Sequence, residues 1–260
     1  MKREHLEYFL ATGNLKVTQL SKSNDPLEFL PNINNLRTSK NWQKIMNHNE
    51  PLVICLSSKV SSAAIWGHYA DSHTGVCLAF EIPLKKGKLQ PLSQNLYEYE
   101  VCNYDSTNKS RDTIIKVDYV EEREYKEPPA LDSTEDFLKF LDERYHTATA
   151  TKSIDWSFEN EYRLVIDDKS PHFVCDKNIL FYNGLKPFFK GLILGTRCDL
   201  HNVYARQLLD NNGYTDVRLD RAQIHSKKYS MTIGAVTNPS FKDSEPAELL
   251  KWVEDYGARR

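Results

Sequence analysis

The spacing of apolar residues predicts several short helices. Leu6, Phe9 and Leu10 recur at helical spacing within residues 4–12, and Gly13 follows as a C-terminal stop. A helix that opens at residues 61–64 carries Trp66 and Tyr69. Further helices are predicted around residues 36–47, from 133 through 141, over 200–211 and, in the C-terminal tail, over 246–256.

Other runs have the alternation or the β-branched content of strands. Strands are predicted over residues 15–20, 51–57, 75–82, 96–104, 162–166, 172–175, 179–182, 191–195 and 217–224. Helices and strands do not alternate as regular βαβ units, so we expect an α+β fold with a central mixed or antiparallel sheet flanked by helices. Residues 1–260 are predicted to form a single domain, with a short helical tail from residue 244.

Composition limits which cellular compartment and which classes of binding partner are expected. The chain is 40% hydrophobic and 27% charged, with a net charge of −2 and no dense run of Lys or Arg, so neither a nucleic acid nor an anionic membrane is indicated as partner. The longest apolar runs have the length of a β-strand and are far too short to span a membrane. The cysteines are odd in number and widely spaced, which is typical of reduced thiols in a cytoplasmic protein. They are Cys55, Cys77, Cys102, Cys175 and Cys198.

Two polar and aromatic clusters are the candidate sites of chemistry. The first contains Trp66, His68 and Tyr69 on a helix, with His73 in the loop beyond it. Trp66 and Tyr69 are three residues apart, so they share a helix face, a spacing typical of core residues. His68 is either a structural histidine or a site residue. Histidines five residues apart do not fit a metal-binding pair on one helix face, so no metal site is predicted.

The second cluster is Lys152, Trp156, Glu159, Glu161 and Arg163. It is predicted to run from the end of a helix into a strand, with the last three side chains on one face. This face is either a solvated edge with a weak ion pair or part of a binding site. In a binding site, the aromatic ring could stack on a planar ligand, and a carboxylate could orient sugar hydroxyls or stabilise a developing cation.

The order of these motifs resembles an uncharacterised bacterial family, catalogued as a domain of unknown function. The resemblance spans residues 15–224 and rests on segments 23–28, 55–58, 64–71, 73–80 and 152–163. Asn24 and Asp25, in the first of these segments, are further ligand-binding candidates. Members of that family open with an aromatic-Lys-aromatic strand, for which residues 1–5 leave no room, and this departure puts catalytic activity in question.

A looser likeness connects the chain to ADP-ribosyltransferases, whose third motif is a strand with Glu-x-Glu. Glu159 and Glu161 are similar to that motif, and the likeness implies that Glu161 holds the ribose of NAD, while Trp66 or Tyr69 stacks on nicotinamide. Glu161, Glu159 and His68 are then the catalytic candidates. The ligand-binding candidates are Trp66, Tyr69, His73, Lys152, Trp156, Arg163, Asn24 and Asp25.

Three functional hypotheses follow from the sequence. One is a bacterial effector, toxin-like or active in phage defence, that uses NAD as substrate for ADP-ribosyl transfer or cleavage. Another is a non-catalytic module that binds a nucleotide or a protein partner. A third is a metal-dependent enzyme that uses His68, His73 and the glutamates. No cofactor is required by the first two.

Overall fold

A computed structural model describes residues 1–25, 27–28, 50–82, 112–122 and 147–236, and the backbone of 84–86 and 98–101. The predicted helices around 36–47, from 133 through 141 and over 246–256 lie outside the described residues. The tail from residue 244 lies outside them as well.

Helices and strands are both short. In the described ranges the α-helices are α1 (Glu4–Thr12), α2 (Ala63–Tyr69) and α3 (Asn202–Asn211), residues 147–150 are also helical, and 3₁₀ segments cover Leu20–Lys22, Ile154–Glu159 and Lys186–Phe188. The strands are β1 (Leu15–Lys16), β2 (Thr18–Gln19), β3 (Leu52–Ser57), β4 (Val76–Phe80), β5 (Leu84–Lys86), β6 (Glu98–Val101), β7 (Thr113–Lys116), β8 (Asp118–Val120), β9 (Thr151–Ser153), β10 (Glu161–Ile166), β11 (Phe173–Asp176), β12 (Ile179–Tyr182), β13 (Phe189–Leu194), β14 (Arg218–Ile224) and β15 (Met231–Ala235).

These strands form several sheets, and the predicted α+β class is confirmed. The largest described sheet has the order β2-β3-β10-β7-β6-β5 and is antiparallel throughout. A second sheet, β15-β14-β13-β4, is mixed because β13 and β14 run parallel. Smaller sheets join β1-β12-β11 and β8-β9.

Strand β10 lies in the interior of the largest sheet, between β3 and β7. Its side chains alternate: Leu164 and Ile166 enter the main hydrophobic core, where they join Phe9 of α1. Arg163 belongs to the opposite face, yet its side chain is fully buried. The interpretation of the 159–163 face as a solvated edge is therefore wrong, because β10 is not an edge strand and its charges are covered.

Some predicted boundaries differ from the structure. The single strand expected over 15–20 is divided, because β1 pairs with β12 whereas β2 pairs with β3 in another sheet. The run into Lys152 is not a helix followed by one strand, since β9 and a 3₁₀ segment precede β10. Strand β15 was not predicted; it pairs with β14, so the strand predicted over 217–224 lies between two neighbours and is not at the edge of its sheet.

Close backbone packing fastens β13 to the loop after α2. Gly195 N donates to Gly75 O at 2.9 Å, and a Cβ at Gly195 would lie 2.2 Å from the His73 carbonyl oxygen. In contrast, a Cβ at Gly67, within α2, would approach only His73 Nε2, at 3.9 Å. Only the first glycine is thus required by its surroundings.

This contrast predicts opposite effects of two alanine substitutions. Gly195→Ala should lower the free energy of unfolding by about 1–3 kcal/mol, because carbonyl groups of the backbone must move. Gly67→Ala should raise it by about 0.5–1 kcal/mol, because alanine favours a helix interior. Urea denaturation of both variants measures the difference. Equal effects of the two substitutions would contradict the packing described for Gly195.

Candidate functional site

A network of buried charges joins the two clusters that the sequence singles out. We call it the charged cluster; its members are Glu28, Lys152, Glu159, Glu161 and Arg163, whose side chains are at most 6% exposed. Lys152 Nζ lies 3.0 Å from Glu28 Oε1, 2.6 Å from Glu159 Oε2 and 3.2 Å from Glu161 Oε2. Arg163 contacts Glu161 through Nε at 3.0 Å and Glu28 through Nη2 at 2.5 Å. Each carboxylate therefore has a cationic partner.

The two glutamates of the Glu-x-Glu pair have opposite electrostatic shifts. Burial alone would raise the pKa of Glu161, but the Arg163 guanidinium and the Lys152 ammonium outweigh it and lower that pKa to about 2. For Glu159, burial is the larger effect and raises the pKa, although Lys152 and Tyr69 both donate hydrogen bonds to the carboxylate. Glu161 is thus the firmly ionised partner, and Glu159 is the one that accepts a proton more readily.

A tight turn brings Glu28 into the charged cluster. Asp25 is buried and its Oδ1 accepts a hydrogen bond from Leu27 N at 2.9 Å, while Glu28 N donates to Asp25 O at 3.1 Å. Such a side-chain bond two residues along the chain is the usual way in which Asp stabilises a turn. Asn24, in the same turn, donates from Nδ2 to the Tyr69 hydroxyl at 2.7 Å. Asp25 therefore shapes the turn, and Asn24 connects it to α2.

Tyr69 connects the charged cluster to the surface. Its hydroxyl donates to Glu159 Oε1, on the side of that carboxylate that Lys152 does not use. The residue is 41% exposed. Burial of the hydroxyl and its bond to Glu159 raise the pKa of Tyr69. A short hydrogen-bonded path thus leads from a buried carboxylate to a solvent-exposed phenol.

Four rings lie together beside the charged cluster, and we call them the aromatic surface: His68, Tyr69, Trp156 and Phe158. The His68 ring stacks on Phe158 with centroids 5.7 Å apart and lies 6.3 Å from Trp156. Trp156 and Phe158 are 5.9 Å apart. His68 and Tyr69 are exposed, whereas Trp156 and Phe158 are half-buried. Lys152 Nζ lies 4.9 Å from the Trp156 ring centroid, so the charged cluster directly supports the aromatic surface.

Most of this site lies within a segment that matches a known family model. Over residues 65–164, the chain matches the family described as "Protein of unknown function (DUF2971)". The resemblance to an uncharacterised family is confirmed over this segment. No curated protein and no solved structure matches the chain. The likeness to ADP-ribosyltransferases stays a prediction.

Two candidates inside the DUF2971 segment lie away from the aromatic surface. Trp66 is 2% exposed, packs against Ile193 and Met231, and donates from Nε1 to Val60 O at 2.8 Å. Its ring is therefore part of a small core and is not available to stack on a ligand. Although Trp66 and Tyr69 are three residues apart, only Trp66 is buried.

His73 belongs to an unusual turn that follows α2. Asp71, Ser72 and His73 all have left-handed backbone conformations, with φ of 49°, 56° and 73°. Three such residues in succession without glycine are costly and need support from their surroundings. Among the described residues, His73 Nδ1 is buried without a hydrogen-bond partner. The structure therefore assigns His73 to the packing of this turn rather than to the aromatic surface.

Sequence reasoning missed several residues of the site. Glu28 closes the 23–28 motif, and its position at the end of that motif was the available signal. Cys55 lies opposite Arg163 in the β3–β10 register. The residue as a whole is exposed, but burial of its thiol and the nearby Glu161 carboxylate raise the pKa of the thiol. Tyr119 accepts a hydrogen bond from Glu161 N at 2.8 Å, and burial raises its pKa to about 12. Phe158 was also missed.

The described residues form neither a metal-binding cluster nor a membrane-spanning helix. No group of three or more His, Cys, Asp and Glu side chains in these ranges is arranged to hold a metal ion. In the charged cluster, the position between the three carboxylates is taken by Lys152 Nζ. None of the helices in the same ranges has the length and apolar character needed to cross a membrane.

Proposed function

We propose that this protein is a binding module that holds a planar ring, such as a nucleotide base, on the aromatic surface, and that it does so without catalysis. The observation that carries this proposal is the pairing of Glu161 and Glu159 with Lys152 and Arg163. The carboxylates that an NAD-dependent reaction would use are engaged in holding the protein together.

Glu161 has little capacity left for a substrate. Both of its oxygens lie within 3.2 Å of a cationic nitrogen, and its side chain is 5% exposed. A ribose hydroxyl would have to reach an almost fully buried carboxylate and compete with Lys152 and Arg163, and displacing either cation would leave a buried charge unpaired at a cost of several kcal/mol. The charged cluster instead fastens the 25–28 turn, β9 and β10 to one another. We interpret it as a rigid support.

The aromatic surface offers what the charged cluster lacks, which is accessible area for a ligand. His68 and Tyr69 are exposed and Trp156 is half-buried, so ring faces or edges can reach an incoming molecule. Stacking of a nucleobase on a protein ring contributes about 1–3 kcal/mol per base. Because the rings are already held by contacts with Lys152 and with one another, little freedom is lost on binding.

A second candidate function is favoured by the Tyr69–Glu159 contact. Glu159 has a raised pKa and accepts a hydrogen bond from the hydroxyl of Tyr69, a residue that is 41% exposed, which is a suitable arrangement for proton transfer. In an ADP-ribosyl transfer or NAD cleavage, Glu159 would then act rather than Glu161. Roles as an effector, a toxin or a phage-defence component depend on this second candidate and remain predictions.

Adenosine, ADP-ribose and NAD should each raise the thermal unfolding temperature of the protein, and NAD should be recovered unchanged. A ligand at a hundred times its dissociation constant contributes about 2.7 kcal/mol to stability. Trp156→Leu should weaken binding about tenfold or more, because it removes the largest ring of the aromatic surface. Tyr229→Leu is the matched control, since Tyr229 is a fully exposed ring between β14 and β15. Calorimetric titration and chromatography of NAD provide the two measurements.

Turnover of NAD would favour the second candidate. It should then disappear in Glu159→Gln and persist in Asp155→Asn, which removes a charge from an exposed position of the same 3₁₀ segment. If none of the three ligands stabilises the protein or is consumed, both candidate functions are wrong.

A further inference from the structure

The charges beneath the aromatic surface do not cancel. In the charged cluster, Glu28, Glu159 and Glu161 carry three carboxylates, whereas Lys152 and Arg163 supply two cations. Asp25 adds another buried carboxylate in the turn that holds Glu28. The described part of this region therefore has an excess of negative charge, in surroundings where water screens it weakly.

The charged cluster directly contacts the aromatic surface on which the ligand is proposed to bind. Glu159 contacts the Tyr69 hydroxyl, and Tyr69 is itself a member of the aromatic surface. The faces of aromatic rings are also electronegative, so a cation is attracted to them. Lys152 Nζ already occupies one face of the Trp156 ring, so a ligand cation has to contact the other ring faces of the aromatic surface. Buried carboxylates and ring faces thus favour the same sign of ligand.

Exposed charges near the site do not reverse this preference. Asp155 precedes Trp156, Asp71 follows two residues after Tyr69, Lys59 follows β3, and all three are exposed. They include both signs and are solvated, so salt screens their effect on a bound molecule. The buried side chains therefore determine the electrostatic preference of the aromatic surface.

We infer that the planar ring bound at the aromatic surface carries a positive charge, as an N-alkylated or protonated heteroaromatic ring does. This inference rests on the proposed function and adds the chemical class of its ligand. An anionic ring is disfavoured at this position, so the phosphates of any nucleotide ligand extend away from the charged cluster. A neutral ring keeps the stacking contacts and lacks the electrostatic attraction.

Three bicyclic probes of similar size separate charge from stacking. They are N-methylquinolinium, a permanent cation; 4-methylquinoline, which is neutral at pH 8; and quinoline-4-carboxylate, an anion. Calorimetric titration of the full chain at pH 8 should show the cation binding about tenfold more tightly than the neutral probe. Glu159→Gln should weaken the cation about fivefold and leave the neutral probe within about twofold. Asp155→Asn, which removes an exposed charge from the same segment, should change neither.

The outcomes distinguish this inference from the proposed function. Equal affinities for the cation and the neutral probe, or tightest binding of the anion, would overturn the charge preference while leaving a ring-binding module. A charge preference that is unchanged in Glu159→Gln, or equally reduced in Asp155→Asn, would also overturn it. If no probe binds and adenosine does not bind, the proposed function fails and the inference fails with it. Trp156→Leu should weaken both the cation and the neutral probe, which places them at the aromatic surface.

Discussion

Arg163→Met should lower the free energy of unfolding by about 3–5 kcal/mol, because it leaves buried carboxylates without their cation. Arg163 is fully buried and contacts Glu161 and Glu28, and it also donates from Nη1 to Thr149 O at 2.7 Å. Methionine fills part of the same volume, so the loss reports charge pairing more than a cavity. Urea denaturation, followed by circular dichroism, measures it.

Lys2→Met is the matched control, since it also replaces a cation with methionine. Lys2 lies 4.0 Å from Glu4, and both side chains are mostly exposed, so its unfolding free energy should stay within about 0.5 kcal/mol of the parent protein. A comparable loss in the two variants would contradict the importance of the buried pair.

The loss of unfolding free energy in Arg163→Met should depend on pH in a defined direction. In the parent protein the pKa of Glu161 is lowered from 4.5 to about 2, so its stabilising contribution is present above pH 4.5 and is lost as pH falls through 2. Without Arg163, the pKa of Glu161 should be lowered less, because Lys152 is then its remaining cationic partner, so a smaller part of this contribution is present at neutral pH. The difference between the two proteins should therefore be larger at pH 7 than at pH 4; a difference that is the same at both values would contradict this account.

Lys152→Met should lower the free energy of unfolding by about 3 kcal/mol or more, because Lys152 is within 3.2 Å of three carboxylates. Adding Glu159→Gln should recover about 1 kcal/mol or more, since one of the unpaired charges is removed. Glu159→Gln alone should cost less than Lys152→Met, because burial raises the pKa of Glu159 and Lys152 keeps its contacts with Glu28 and Glu161. A double-mutant cycle measured by urea denaturation gives the coupling energy.

Glu161→Gln provides the comparison within the same motif. The pKa of Glu161 is lowered, so the fold favours its charge, and this substitution should destabilise the protein more than Glu159→Gln does. An additive cycle would contradict the coupling of Lys152 with Glu159. Equal losses from the two Glu→Gln variants would contradict the difference between the two glutamates.

Local structure was predictable where one short stretch contains the whole signal. Helix α1 begins at Glu4 and ends at Thr12, and Gly13 follows with φ of 77°, in agreement with the prediction of a glycine stop. Strands β3 and β10 were also predicted, because a short apolar run with β-branched residues suffices to indicate an extended segment.

The candidate site was only partly predictable, because alternation does not reveal what covers a strand. The pattern of Glu161 and Arg163 on one face is the same for a solvated edge and for a buried site. The decisive facts are that β10 pairs with β3, whose paired residues lie 104–114 positions earlier in the chain, and that the 25–28 turn brings Glu28 onto it. Neither pairing has a local signature.

The sequence by itself therefore determined the type of the short elements, the α+β class and the residue types available for a site. Only the tertiary structure decided that Trp66 is core while Tyr69 is exposed, since the two differ in which sheet and which charges they meet. It also decided that Glu159 and Glu161, two residues apart, have opposite pKa shifts. The physical reason is that burial and charge pairing arise from side chains distant in sequence, and these set the free energy of each ionised group.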